Sequence, residues 1–251
     1  MSLIRVDDVS FGYTADRRIL DGVSLDIAAG DTIGLVGESG SGKTTLLRLL
    51  LGLERPNAGS ISFDGAPLDP GNGPFMRQFR RQAQVVFQDP YSSLDPRQRV
   101  FSIIAEPLRS LRIASDHAVA VASALAAVGL DPDTAKRYPH QFSGGQRQRI
   151  AIARAIVAKP RLLLADEAVS ALDLTTRIRI VELLAELSKD MSLLFVSHDI
   201  GVVAALCQRI VILEHGRIVE QGETANVLAA PQHSYTQRLL ASVPRLTLKE
   251  T

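Results

Sequence analysis

The chain has 251 residues, 46% of them hydrophobic, enough to bury a sizeable core within one α/β domain. Lysine plus arginine is 28 against 27 acidic residues, and a net charge of +1 leaves no footprint for gripping nucleic acid. Its one cysteine, Cys207, excludes an internal disulfide, a cysteine-based zinc finger and a chain-borne iron–sulfur cluster, and fits a reducing cytosol.

The N-terminus MSLIRVDD carries acids where a signal peptide needs an apolar run. The longest uncharged stretch, 118–130, is too short and too alanine-rich to span about 30 Å of hydrocarbon. These features predict a soluble protein that reaches a membrane only by docking.

In chain order, LIRVDDVSFGY and VSLDIAAGD alternate apolar and polar residues, which predicts a half-buried antiparallel sheet. TIGLV (32–36) is continuously apolar, as a buried parallel strand is. A glycine-rich loop and an apolar helix, TTLLRLLLGL, follow it, and SISFDG gives another short strand. Arg77, Arg80 and Arg81 read as a solvated helix face, and QVVFQ (84–88) as a second core strand. From Tyr91 to about Lys159, prolines punctuate helical segments such as 117–130, which stops at Gly129 and Asp131-Pro132. RLLLAD (161–166) resumes the strand pattern. A helix over 174–189 is predicted to put Ile178, Val181, Leu184 and Leu187 on one face. Strand LLFVS (193–197), a short helix near 200–207 and a hairpin turning at His215-Gly216 complete the pattern. The expected fold is α/β, a mostly parallel sheet wrapped by helices. Residues 1–88 and 160–230 form its core with an antiparallel β part, 89–159 an inserted helical subdomain, and 231–251 a tail that is helical at most.

Two features carry chemistry. Gly37-Glu38-Ser39-Gly40-Ser41-Gly42-Lys43-Thr44 fits G-x-x-x-x-G-K-[ST] between a buried strand and a helix, with Thr45 next in the helix. Glycines there let backbone N–H groups turn toward phosphate oxygens, and the helix N-terminus adds a positive dipole end. Lys43 would reach the β- and γ-phosphates and the Thr44 hydroxyl would bind Mg²⁺. Asp166 and Glu167 close a buried strand, at the carboxyl edge where parallel sheets bind ligands. Taken alone, the pair could equally be an acidic helix start.

Ser143-Gly144-Gly145-Gln146 opens a further strong helix and is a second anion site by composition, or an ordinary N-cap. Set between the phosphate loop and the acidic strand end, SGGQ resembles the signature of ABC transporter ATPases. The resemblance covers nearly the whole chain, with its motifs in family order. It implies a P-loop (RecA-like) core, ATP and Mg²⁺ as ligands, and a dimer sandwiching two ATP molecules, in which Ser143, Gly144, Gly145 and Gln146 act on the partner's nucleotide. By the same resemblance Asp166 is the Walker B aspartate that holds Mg²⁺ and Glu167 the general base. Gln88 is the Q-loop residue that senses Mg²⁺ and γ-phosphate. Asp173 ends the D-loop SALD, His198 is the switch histidine, and Tyr13 is the aromatic that stacks on adenine. VVFQDPYSSLDPRQRV, RYPHQFSGGQRQRIAIARAI and HSYTQRLLASVPR resemble the peptide/nickel branch of bacterial importers. DEAVSALD departs from the commoner DEPTSALD or DEPVSALD at Ala168, and Phe142 stands for the commoner Leu.

The branch implies a sister ATPase or self-dimer, transmembrane permeases, an extracytoplasmic binding protein, and a place on the cytoplasmic face of the membrane. Short peptides, nickel or a metal–chelate complex are the implied cargo. An exporter ATPase shares the same engine. A DNA-repair or chromosome ATPase would insert coiled coils or a zinc module, and positions 89–142 hold no heptads and no cysteine. A non-hydrolysing partner would carry a degenerate acid or switch residue, and both look intact.

Overall fold

A computed structural model describes residues 2–14 and 17–242, apart from the side chains of Pro90 and Ser92. Its strands are β1 (Ser2–Phe11), β2 (Leu20–Ala28), β3 (Thr32–Val36), β4 (Ala58–Phe63), β5 (Ala66–Pro67), β6 (Ala83–Val86), β7 (Leu162–Asp166), β8 (Ser192–Ser197), β9 (Arg209–Glu214) and β10 (Arg217–Glu223). The helices are α1 (Lys43–Leu50), α2 (Gly73–Gln82), α3 (Pro90–Ser93), α4 (Val100–Ile104), α5 (Glu106–Ser110), α6 (His117–Ala127), α7 (Gly144–Ile156), α8 (Leu174–Leu187), α9 (Ile200–Leu206), α10 (Thr224–Ala229) and α11 (Ser234–Ala241).

The two sequence patterns fold into two sheets. The alternating segments make an antiparallel sheet of order β2-β1-β4-β5. The continuously apolar segments make a second sheet of order β10-β9-β3-β8-β7-β6, parallel except for β10. Strand side chains alternate between faces, so each apolar strand feeds two cores. Leu163, Ala165, Leu193, Phe195, Ile210 and Ile212 join the core that contains α7, α9 and the helices from 94 to 130. Leu162, Leu164, Leu194, Val196, Val211 and Leu213 join the core shared by α1 and the antiparallel sheet. Leu46, Leu47, Leu49 and Leu50 of α1 are at most 1% exposed, and each such burial stabilises the fold by roughly 2 kcal/mol. That burial fixes the phosphate loop, because the loop is the short link between β3 and α1.

Three expectations need correction. QVVFQ is not a core strand: β6 ends at Val86 and lies at the edge of the sheet, leaving Phe87 43% exposed and Gln88 beyond the strand. The buried stripe of α8 is Ile180 and Leu184, one turn apart, while Ile178 is 50% exposed. Helix α1 stops at Leu50, because Gly52 turns the chain at φ 63°. Residues 243–251, part of the expected tail, lie outside the described residues.

Candidate nucleotide site

The loop after β3 needs glycine at two places for different reasons. A Cβ on Gly37 would lie 2.3 Å from the Leu213 carbonyl oxygen, so only glycine lets the loop pass behind β9. Gly42 adopts φ 109°, a conformation side chains rarely tolerate, and starts α1 without a side-chain cap. By contrast Asn72, Asp116, Ser143, Asp173 and Asp199 cap their own helices. The first N–H groups of α1 are therefore left for another acceptor. Ser41 Oγ is buried and has no hydrogen-bond partner among the described residues, a second opening for an anion's oxygens.

Lys43 is 6% exposed, and its ammonium donates to the carbonyls of Gly37 at 2.8 Å and Glu38 at 2.9 Å. Burial pushes its pKa below the usual lysine range, opposed by the charges of Glu167 and Asp166. Burial together with the neighbouring Glu167 charge raises the Asp166 carboxyl, and Lys43 opposes that rise. The site therefore holds charges of both signs at a desolvation cost, which is typical where ligands bind.

Glu167 leaves β7 in the left-handed region at φ 44°, a strain of about 1 kcal/mol for a non-glycine residue. Its N–H donates to the Val196 carbonyl at 2.9 Å. Its own carbonyl accepts from Ser170 N–H at 3.1 Å and Ser170 Oγ at 3.0 Å. Its carboxylate meets Gln88 Nε2 at 2.9 Å on one oxygen and His198 Nδ1 at 3.3 Å on the other. Three residues expected to act together are thus brought together from the ends of three neighbouring strands, β6, β7 and β8.

Ser39, Gly40, Gly42, Lys43, Thr44, Thr45, Gln88 and Glu167 line one open cleft of about 590 Å³. Arg17, Arg18, Ile19 and His215 line it too and went unrecognised as site residues in the sequence. Their only signal is spatial, since the start of β2 and the β9–β10 turn reach the loop from distant positions. Tyr13 is 53% exposed, stacked edge-to-face on Phe11 at 5.0 Å, and its hydroxyl accepts from Arg48 at 3.2 Å. It stands outside the cleft lining.

Ser143, Gly144, Gly145 and Gln146 also lie outside that lining and form the first turn of α7. Ser143 Oγ accepts from the Gln146 N–H at 3.4 Å, and the Gln146 side chain accepts from the Ser143 N–H at 3.0 Å. Gly145 packs so close to α8 that a Cβ would meet Thr176 Cγ2 at 2.4 Å. Asp173 caps α8 by accepting from Thr176 N–H at 3.0 Å, and the Thr176 side chain followed by this backbone bond holds its carboxyl below the usual range.

Known proteins resemble this chain in sequence and fold. Residues 20–170 match the family described as ABC transporter, and residues 219–251 the family described as oligopeptide/dipeptide transporter, C-terminal region. Peptidoglycan transport ATP-binding protein YejF of Agrobacterium fabrum is 48% identical over 240 residues, 93% of this chain and 44% of that protein. A putative peptide import ATP-binding protein of Brucella ovis is 46% identical over 235 residues, 92% of this chain and 74% of that protein. Glutathione import ATP-binding protein GsiA of Shigella flexneri is 48% identical over 235 residues, 92% of this chain and 38% of that protein. The chain thus spans less than half of the first and third of these relatives. Among solved structures, cbiO1 of Clostridium perfringens superposes with a TM-score of 0.82 at 27% identity, covering 91% of each chain. The ATP-binding cassette MJ0796, dimeric and bound to ADP and Pi, superposes with a TM-score of 0.77 at 27% identity, covering 88% of this chain and 98% of that one. With a glycine-backed phosphate loop, an acidic strand end beside it and these matches along its length, the chain belongs to the ABC transporter family of nucleotide-using ATP-binding proteins.

Proposed function

We propose that this chain is the ATP-hydrolysing subunit of an ABC importer. The observation that carries the reading is the Glu167 carboxylate, held by Gln88 on one oxygen and His198 on the other, in the cleft that Lys43 and the loop also line. The uncapped start of α1, the unpartnered Ser41 hydroxyl and Lys43 supply donors and positive charge for the triphosphate. The loop from Gly37 to Thr44, with Thr45, cradles the phosphates. Glu167 orients the attacking water and takes its proton, and His198 steadies that carboxylate and the γ-phosphate. Rate enhancement comes mainly from positioning and charge stabilisation.

The donors offered to Mg²⁺ are hard oxygens: Thr44 hydroxyl, Asp166 carboxylate and Gln88 amide oxygen, whose amide nitrogen is engaged by Glu167. So sparse a set fits an ion that keeps several waters and binds substrate phosphates. When bound, Mg²⁺ would neutralise charge developing on the phosphate oxygens.

Ser143, Gly144, Gly145 and Gln146 stand outside this chain's own cleft, which supports their acting on the nucleotide of a second ATPase, a sister chain or a second copy. Asp173 lies at the same junction, and Tyr13 is assigned to adenine. Residues 1–88 and 160–230 are the engine, and 89–159 the arm that meets the permeases. The exposed Phe87 lines an apolar groove with Leu51, Leu53, Phe79, Pro107 and Leu111, a surface suited to a permease element next to Gln88. Among the described residues no helix is long and apolar enough to cross a membrane. In line with the import ATP-binding relatives, the chain works peripherally, on the cytoplasmic face, with permeases fed by an extracytoplasmic binding protein. The import names of relatives favour uptake over export, and peptides, glutathione-like peptides included, over nickel.

Light scattering of the Glu167→Gln variant with ATP·Mg²⁺ tests the reading. ATP-dependent dimerisation supports a self-sandwich, and an ATP-binding monomer supports a sister ATPase. A variant with wild-type ATP turnover overturns the assignment of the base.

A further inference from the structure

Helix α11 returns to the phosphate loop from the far end of the chain. The backbone N–H of Glu38 donates to the Tyr235 hydroxyl at 2.8 Å, across 197 positions. The Glu38 carbonyl accepts from Lys43 Nζ at 2.9 Å. Both faces of one loop residue's backbone are therefore held, one by the phosphate-binding lysine and the other by a tyrosine of the tail. Tyr235 is 2% exposed, and burial raises its pKa above the usual tyrosine range, so its oxygen remains a neutral hydroxyl that can accept.

The helix that carries it is tied down independently of the loop. Glu220 accepts from the N–H groups of Gln232 at 2.8 Å and His233 at 3.1 Å, one on each oxygen. Arg238 donates to Glu214 at 3.0 Å, and Glu214 ends the strand whose Leu213 carbonyl backs Gly37. The hairpin turn adds a further hold, with Gly216 N–H donating to the Ser41 carbonyl at 2.9 Å. The tail and the hairpin thus both grip the loop, the tail through Tyr235, which is not among the residues that line the cleft.

We propose that Tyr235 is a positioning residue of the nucleotide site: its hydroxyl fixes the Gly37–Glu38 peptide, whose Gly37 carbonyl accepts from Lys43, and through it the resting place of the Lys43 ammonium, before ATP binds. The inference rests on the reading of the loop as an ATP site. When Lys43 leaves the Gly37 and Glu38 carbonyls for a phosphate, the Tyr235 bond remains to hold the Gly37–Glu38 peptide in place. The segment matched by the oligopeptide/dipeptide C-terminal family thereby sets nucleotide affinity from outside the cleft.

The test is calorimetric titration of the full chain with ATP·Mg²⁺, alongside steady-state ATP hydrolysis. The variants are Tyr235→Phe, which keeps the ring and removes the hydroxyl; Gln237→Ala, which removes the α11 bond to the Pro231 carbonyl at 3.0 Å and leaves the loop untouched; and Lys43→Ala. Tyr235→Phe is expected to bind ATP about three- to tenfold more weakly, the worth of one neutral hydrogen bond. Its KM should rise by the same factor with kcat unchanged, while Gln237→Ala binds like wild type. Wild-type affinity in Tyr235→Phe, an equal loss in both α11 variants, or a fall in kcat at constant KM each overturns the proposal. No ATP binding by the wild type, or none lost in Lys43→Ala, is a different result: it removes the ATP-site reading and this inference with it.

Discussion

Gln88 Nε2 and Glu167 Oε2 are 2.9 Å apart, joining the residue just beyond the edge strand to the residue just beyond its neighbour. The bond places an uncharged donor on the carboxylate assigned to activate water. Glu167→Gln keeps the size and can still meet Gln88, but cannot take a proton. Phosphate release should fall at least about 10²-fold while ATP affinity stays within a few-fold of wild type. Single-turnover hydrolysis together with equilibrium binding checks both halves.

Asp166 makes a prediction about stability. Its pKa is raised by burial and by Glu167, so the folded chain holds that proton more tightly than the unfolded chain does. Stability therefore falls as pH climbs from 3.8 through the raised value, and the penalty is complete above it. Asp166→Asn removes the penalty. At neutral pH the nucleotide-free variant should melt about 2–4 °C higher than wild type, and the gap should close as pH approaches 3.8. The stabilisation that Mg²⁺ adds to ATP binding should disappear. Melting curves across pH, with and without nucleotide, decide this.

Ser143 has two assigned roles, which can be separated. It caps α7, and Asp is as good a cap as Ser, whereas Ala costs about 1 kcal/mol. Ser143→Asp should melt within a degree or so of wild type, while a carboxylate facing a γ-phosphate should abolish ATP-driven dimerisation. Ser143→Ala should lower the melting temperature and weaken dimerisation less. Dimerisation of the Asp variant at wild-type ATP concentrations would leave only the cap.

Cys207 is buried, and its thiol pKa is pushed up to about 12. A disulfide reagent at pH 8 should leave the folded chain unlabelled and modify it in proportion to opening of α9. Fast labelling under native conditions would show that α9 opens locally.

The phosphate loop, the acidic strand end and the helix-capping serine were legible because each is a local pattern, with residue type and neighbours within a few positions defining the conformation. Register within α8 was not. Ile178, Val181, Leu184 and Leu187 form the apolar stripe read from the sequence, whereas Ile180 and Leu184 are the buried pair, and only the packing against α7 and α9 selects them. Phe87 read as the continuation of a core strand because exposure at a sheet edge leaves no trace in a run of apolar letters. Tyr235 carried no signal at all, since its partner is a backbone N–H that every residue but proline possesses.

The placement of β3 also bears on how the chain is made. Thr32 pairs with Leu193 on one side and Ile33 with Arg209 on the other, so both neighbours of the strand that launches the phosphate loop come from the last quarter of the chain. A ribosome that has delivered the loop, its helix and the whole helical stretch still holds β3 without a hydrogen-bonding neighbour. Closing such distant pairings is slow, and they arrive together. A nascent chain cannot hold a nucleotide in its native cradle until roughly residue 214 has emerged, so nucleotide capture waits for strands made long after the loop itself.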